Sequence, residues 1–203
     1  MKIVLATSNR GKLAEMQPLL ADSGFTLVTQ GELGVTDAIE DGRSFVENAL
    51  IKARHAVAVT GLPAIADDSG LIVDALNGAP GLISAHYAGV HGDAERNIRK
   101  LLAELAGVPI ERRSARFYSL IVLLRHADDP QPLIAEGVWH GRILEAPRGD
   151  GGFGYDPIFF DPELGLGAAE LAPDVKNRVS HRGRALTQLR EKLVGCNWAH
   201  LDS

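Results

Sequence analysis

The sequence predicts an α/β protein built on a mixed sheet, and three observations carry that prediction. Helical and strand periodicities alternate along the chain, but without the strict strand–helix–strand repeat of a Rossmann fold. Two β-rich segments, 116–124 and 133–139, follow one another across a polar Asp-Pro-containing turn, which is a hairpin pattern. A length of 203 residues fits one large domain, or two small lobes sharing one sheet. No internal repeat, low-complexity tract or linker interrupts the chain, so residues 1–203 read as a single domain.

Taken in order, residues 2–6 read as a buried first strand. Leu13, Met16, Leu19 and Leu20 follow at helical spacing, and Pro18 is expected to shorten or bend that helix. Ser44-Phe45-Val46-Glu47 has the form of a capping box. It opens a helix toward Thr60 whose buried stripe would be Val46, Ala49, Leu50 and Ala53. Residues 62–66 and 71–75 read as two strands flanking an acidic turn at Asp67-Asp68-Ser69-Gly70, with Gly70 letting the backbone turn sharply. A helix starts at Asp93, turns Ile98, Leu101, Leu102 and Leu105 inward, and stops at Gly107. The last helix covers 182–193, with Leu186, Leu189 and Leu193 on one side.

Composition narrows the function classes. A formal net charge of −5 argues against wrapping duplex DNA or coating anionic membranes, but not against binding nucleotides. The single cysteine, Cys196, excludes an intramolecular disulfide and a Cys-based zinc cluster, and points to a reducing compartment. The first apolar run is too short for a signal peptide and no stretch is long enough to span a bilayer. The expectation is a cytoplasmic protein with no nucleic-acid or membrane partner.

Four segments could carry chemistry. Thr7-Ser8-Asn9-Arg10-Gly11-Lys12 joins the first strand to the first helix, where exposed N–H groups and the helix dipole favour phosphate. It is not a Walker A loop, since Leu13 stands where a magnesium-binding Ser or Thr would be, and an ordinary polar loop is the alternative. Adjacent carboxylates Asp67 and Asp68 point in opposite directions on a strand and so take different jobs, one polarising water or holding a metal, the other anchored to the protein. Glu40 and Asp68 are candidate magnesium ligands, because magnesium needs only one or two carboxylates beside substrate phosphates. Glu47 serves equally well as a cap, and Lys52 as a surface lysine. Gly151-Gly152-Phe153-Gly154-Tyr155-Asp156-Pro157 allows close approach to a flat ligand, with Phe153 or Tyr155 stacking on a base and Asp156 accepting hydrogen bonds. A structural β-turn is the alternative there. Lys176 and Ser180-His181-Arg182-Gly183 supply donors suited to a 6-oxo purine, or form a solvated basic helix start.

In combination these motifs suggest a nucleoside triphosphate and magnesium, and here the chain resembles a known family. The matching stretches are Ala6-Thr7-Ser8-Asn9 with Lys12, Ser44-Phe45 with Glu47-Asn48-Ala49 and Lys52-Ala53, and Ala66-Asp67-Asp68-Ser69-Gly70-Leu71. Pro80-Gly81 with Ser84-Ala85, the 151–157 turn, and Ser180-His181-Arg182-Gly183 with Ala185-Leu186 complete the set. The sequence is similar to the inosine triphosphate pyrophosphatase-like family of dITP/XTP pyrophosphatases over essentially its whole length. That resemblance implies an elongated mixed β-sheet flanked by helices, two lobes with a central cleft holding the active site, and a homodimer. It implies magnesium-dependent hydrolysis of ITP, dITP and XTP to the monophosphate and pyrophosphate, which cleanses the nucleotide pool. Thr7, Ser8, Asn9, Arg10, Gly11 and Lys12 would bind the triphosphate, and Glu40 and Asp68 the metal, with Asp68 also the proton acceptor. Ser69, Phe153, Gly154, Tyr155, Asp156, Lys176, His181 and Arg182 would contact the substrate. His86 stands where the family often has arginine, and Gly165-Leu166-Gly167 where Gly-Lys-Thr is common, so neither takes a role. A pyrophosphatase for modified pyrimidine triphosphates and a non-catalytic nucleotide-binding regulator are the competing readings.

Overall fold

The structure, a computed structural model, describes residues 1–21 and 24–194, apart from the Leu19 side chain; Cys196 lies outside the described residues. The strands are β1 (Lys2–Leu5), β2 (Thr26–Thr29), β3 (Ala64–Val73), β4 (Ser114–Leu124), β5 (Leu133–Ile143), β6 (Phe159–Asp161) and β7 (Leu166–Gly167). They join one sheet in the order β2-β1-β3-β4-β5-β6-β7. β1 runs parallel to β2 and β3, whereas β6 is antiparallel to β5 and β7, so the sheet is mixed as the sequence predicts. The helices are α1 (Arg10–Leu20), α2 (Phe45–Thr60), α3 (Ala94–Glu104), α4 (Pro173–Val179) and α5 (His181–Val194). Among the described residues, no helix is long and apolar enough to cross a membrane.

The chain divides into two compact units. One contains Met1–Asp68, Ser119–Gly137 and α5; the other contains Ser69–Tyr118 and Val138–Ser180. Each buries its own core. In the first, Ile3 and Leu5 of β1, Met16 and Leu20 of α1, Ile65, Ile121 and the α5 face Leu186-Leu189-Leu193 pack together. In the second, Phe117, Trp139 and Phe159 stack with centroids 4.5–6.1 Å apart, joined by Leu71, Ile98, Leu101 and Leu105. Tilted aromatic contacts of this kind add to the area that the rings bury.

Several local expectations hold. Asp93 caps α3 by accepting from Arg96 N at 3.0 Å, and Gly107 beyond its end has φ +77°. Ser44 caps α2 by accepting from Glu47 N, and Gly61 closes that helix at φ +67°, a conformation that glycine adopts without steric cost. β4 and β5 are neighbours in the sheet, and the turn between them is fastened by Asp129, which accepts from Arg125 N, Gln131 N and the Arg125 guanidinium.

Two expectations need correction. The acidic segment is not a turn: β3 runs unbroken from Ala64 to Val73, with Asp67, Asp68, Ser69 and Gly70 inside it. Turn-forming composition is overridden because both carboxylates find cationic partners beside the strand. The α2 stripe is Asn48, Ala49, Ala53, Ala56 and Val57, with Val46 and Leu50 only half-buried. The helix is thus rotated so that small side chains face inward. Pro18 lies in the last turn of α1, which ends at Leu20, so it forfeits a single intrahelical bond.

Candidate active site

The three parallel strands β2, β1 and β3 lie side by side, and ligands of open α/β sheets gather beyond the carboxyl ends of such strands. After β1, residues 6–9 lead into α1. Thr7 Oγ1 accepts from Asn9 N at 3.2 Å, and Asn9 Oδ1 caps the helix by accepting from Lys12 N at 3.1 Å. The first turn of α1 carries no acidic residue of its own, which leaves the helix dipole there favourable to an anion. Arg10 is exposed and Gly11 half-buried. Lys12 extends to β3, where its ammonium pairs with the Asp67 carboxylate and reaches Asp67 O at 3.4 Å.

The two aspartates have different surroundings, as strand alternation requires. Asp67 is locked into the protein: Ser119 Oγ of β4 donates to its Oδ2 at 2.7 Å, and Lys12 and Arg182 both ion-pair with it. Burial disfavours its charge, but Arg182 and Lys12 outweigh that and hold the carboxyl well below the usual range. Asp68 instead shares Lys52 with Glu40. The Lys52 ammonium lies 3.0 Å from Asp68 Oδ1 and 2.8 Å from Glu40 Oε2. Burial pushes the Asp68 carboxyl up, and Lys52 and Lys12 only partly offset it. Burial also works against the Lys52 charge, yet Asp68 and Glu40 together raise its affinity for the proton.

Asp68 Oδ2 is buried with no hydrogen-bond partner. An orphaned carboxylate oxygen is costly unless something else answers it. Two carboxylates on one ammonium also leave one negative charge over. Magnesium, an oxygen-seeking dication content with one or two carboxylates plus phosphate and water, fits that donor set. Glu40 and Asp68 are the residues that would hold it.

Glu40 sits on segment 36–42, which hangs from α2. His55 Nε2 bonds Thr36 O at 2.9 Å, and Gly42 N donates to Asn48 Oδ1 at 2.9 Å. A side chain at Gly42 would collide with Asn48 and Glu47, so the close approach requires glycine. Glu47 takes the capping role, accepting from Arg43 N at 2.7 Å and Ser44 Oγ at 2.9 Å.

His181 and Arg182 open α5 and are both buried. Arg182 pairs with Glu15 of α1 and with Asp67, so it braces the acid pair from behind. Gly137 of β5 makes this possible: a Cβ there would lie 2.0 Å from His181 O, so only a glycine lets the helix start approach the strand.

The remaining predicted residues lie in the second unit. Ser69, the next residue of β3, is half-buried. In the 151–156 turn, Gly152 at φ +72° packs against the Asp156 carboxylate, and Gly154 has φ +63°. Asp156 Oδ2 accepts from Phe153 N and from Lys176 Nζ, each at 2.7 Å, and both charged groups are buried. Phe153 stays 37% exposed, with the Lys176 ammonium 5.0 Å from its ring centroid. Tyr155 is buried, and its hydroxyl donates to Ser84 O at 2.9 Å. The turn therefore spends Tyr155 on the core and presents Phe153.

Sequence reasoning left Lys52 open as a surface lysine and passed over Glu15, Ser119 and Gly137. Only Gly137 had a readable signal, an isolated glycine within a β-rich segment.

An α/β sheet with adjacent acids beside a lysine-bearing helix start is the framework of a phosphate-handling protein. Comparison with known proteins gives the particular family: residues 3–192 match the Ham1 family, and the chain belongs to it. It is 64% identical over 191 residues to the dITP/XTP pyrophosphatase of Xanthomonas oryzae pv. oryzae, covering 94% of this chain and 96% of that one. It is 57% identical to the dITP/XTP pyrophosphatase of Vibrio cholerae over 188 residues, covering 93% of this chain and 94% of that one. Among solved structures, a HAM1 protein from Coxiella burnetii superposes with a TM-score of 0.90 at 51% identity, covering 97% of this chain and all of that one. The Ham1 protein of Staphylococcus aureus gives 0.85 at 36% identity, covering 96% and 99% respectively.

Proposed function

We propose that this protein hydrolyses non-standard purine nucleoside triphosphates (ITP, dITP and XTP) to the monophosphate and pyrophosphate, with magnesium as cofactor. The names of its relatives support the substrate class. One observation supports the mechanism: Asp67 is tied down by ion pairs while its neighbour Asp68 keeps a buried, unpartnered oxygen.

When bound, magnesium neutralises phosphate charge and makes a coordinated water more acidic. Asp68, whose burial makes it more basic than an ordinary carboxylate, accepts the proton of the attacking water. Residues 7–12 receive the phosphate tail, using the N-terminal N–H groups of α1 and the Lys12 ammonium. Asp67, braced by Arg182 and Ser119, orients Lys12. Phe153 stacks on the base, and Asp156 holds Phe153 and Lys176 in place. Selectivity for a 6-oxo group requires donors facing it; an amino group there leaves donors unpaired, at about 1–3 kcal/mol each. The family resemblance supports a homodimer as the active form, and the reducing compartment implied by one cysteine supports a cytoplasmic setting.

The test is Asp68→Asn with dITP, counting pyrophosphate and phosphate separately. A fall in kcat of about 10²- to 10⁴-fold is expected. Wild-type turnover in the variant, or release of single phosphates by the parent protein, refutes the reading.

A further inference from the structure

We infer that Asp37 is a positioning residue for this reaction, a clamp that fixes the 7–12 loop relative to the segment carrying Glu40. The inference rests on the proposed function and assigns a role to a residue outside every motif named above.

The clamp has two jaws. Ser8 Oγ donates to Asp37 Oδ2 at 2.9 Å, so the carboxylate holds the loop after β1. Gln30 Nε2 donates to Asp37 Oδ1 at 2.5 Å. Gln30 is itself buried, and its backbone N donates to Leu5 O at 3.0 Å, anchoring it to the end of β1. Asp37 thus joins the chain leaving β1 to the chain leaving β2.

Its own segment is what gives the clamp consequence. Residues 36–42 have no regular structure and are suspended from α2 at Thr36 and Gly42, with Glu40 between those points. Asp37 links that suspended segment to the 7–12 loop, so it sets the separation between the phosphate-gripping loop and the metal-gripping acid. Loosening that separation weakens the joint grip on phosphate and metal before the chemical step, and so acts on binding more than on turnover. An exposed carboxylate beside a triphosphate loop also repels its ligand, an unfavourable charge unless the two accepted hydrogen bonds outweigh it.

The experiment measures pyrophosphate release from dITP by Asp37→Ala, Asp37→Asn and Gln30→Leu, titrating substrate and magnesium, alongside Tm. Asp37→Ala is expected to raise both KM and the half-saturating magnesium concentration about five- to twentyfold, with kcat within about threefold. Asp37→Asn can still accept from Gln30 and bond Ser8 with reversed polarity, so it returns both values to within about twofold of the parent. Gln30→Leu removes one jaw and raises both by about two- to fivefold. Asp37→Ala with parental KM and magnesium dependence overturns the inference, whatever its Tm. Asp37→Asn as impaired as Asp37→Ala overturns it as well, since charge and not the paired hydrogen bonds would then matter. Should Asp37→Ala not fold, Gln30→Leu decides: parental values overturn the clamp. A parent protein inactive on dITP refutes the proposed function instead, a separate result.

Discussion

The acid pair of β3 and the glycine-rich turn at 151–156 both bury an aspartate against a lysine, yet they end in opposite states. Asp156 and Lys176 answer one another, and Asp156 also fastens the Phe153 backbone. That turn is self-sufficient. Asp68 must share Lys52 with Glu40, and one of its oxygens is left over inside the protein. The lesson is that one region stores shape and the other stores unmet demand for positive charge. Chemistry is expected where the demand is unmet.

Breaking the satisfied region should cost most. Lys176→Met removes the ammonium from a buried carboxylate, and a loss of about 3–5 kcal/mol of stability is expected by chemical denaturation. A loss under about 1 kcal/mol would mean that water already reaches Asp156. A smaller effect follows from Phe153→Ala, which removes the presented ring and leaves the buried pair intact. KM for dITP should rise about fivefold or more, corresponding to about 1–3 kcal/mol of stacking, with kcat less affected.

The smallest effect has the opposite sign. Burial raises the Asp68 carboxyl in the folded protein, so ionising it costs stability. That cost is absent below the unfolded carboxylate pKa, about 4, and fully present once pH exceeds the raised folded value. Asp68→Asn should therefore gain stability at neutral pH while losing activity, and the gain should vanish on acidification. A variant destabilised at neutral pH would show that the Lys52 pair outweighs burial.

Much of the fold was legible because its signals are local. The Ser44 box, the Asp93 cap, Gly107 and the β4–β5 turn each lie within a few residues of the structure they specify. The acid pair was legible as chemistry but misread as a turn. Asp-Asp-Ser-Gly has turn composition, and the groups that keep it extended, Lys12, Lys52, Ser119 and Arg182, come from distant parts of the chain. For the same reason Lys52 could not be told from a surface lysine. Phe153 and Tyr155 were equivalent by spacing; the Ser84 carbonyl that receives the Tyr155 hydroxyl separates the exposed ring from the core ring. Family resemblance, and not periodicity, supplied the substrate.

The uninterrupted course of β3 has a further consequence. Side chains on a strand have parity, and Asp67 and Asp68 occupy opposite parities of one ladder, held in register by Val4 against Ala64 and Leu5 against Ile65. Deleting or inserting one residue between Ile65 and Asp67 would turn Asp67 toward Lys52 and Asp68 toward Arg182. Length in this stretch is therefore as constrained as residue identity, and a conservative-looking indel there should be harsher than most substitutions.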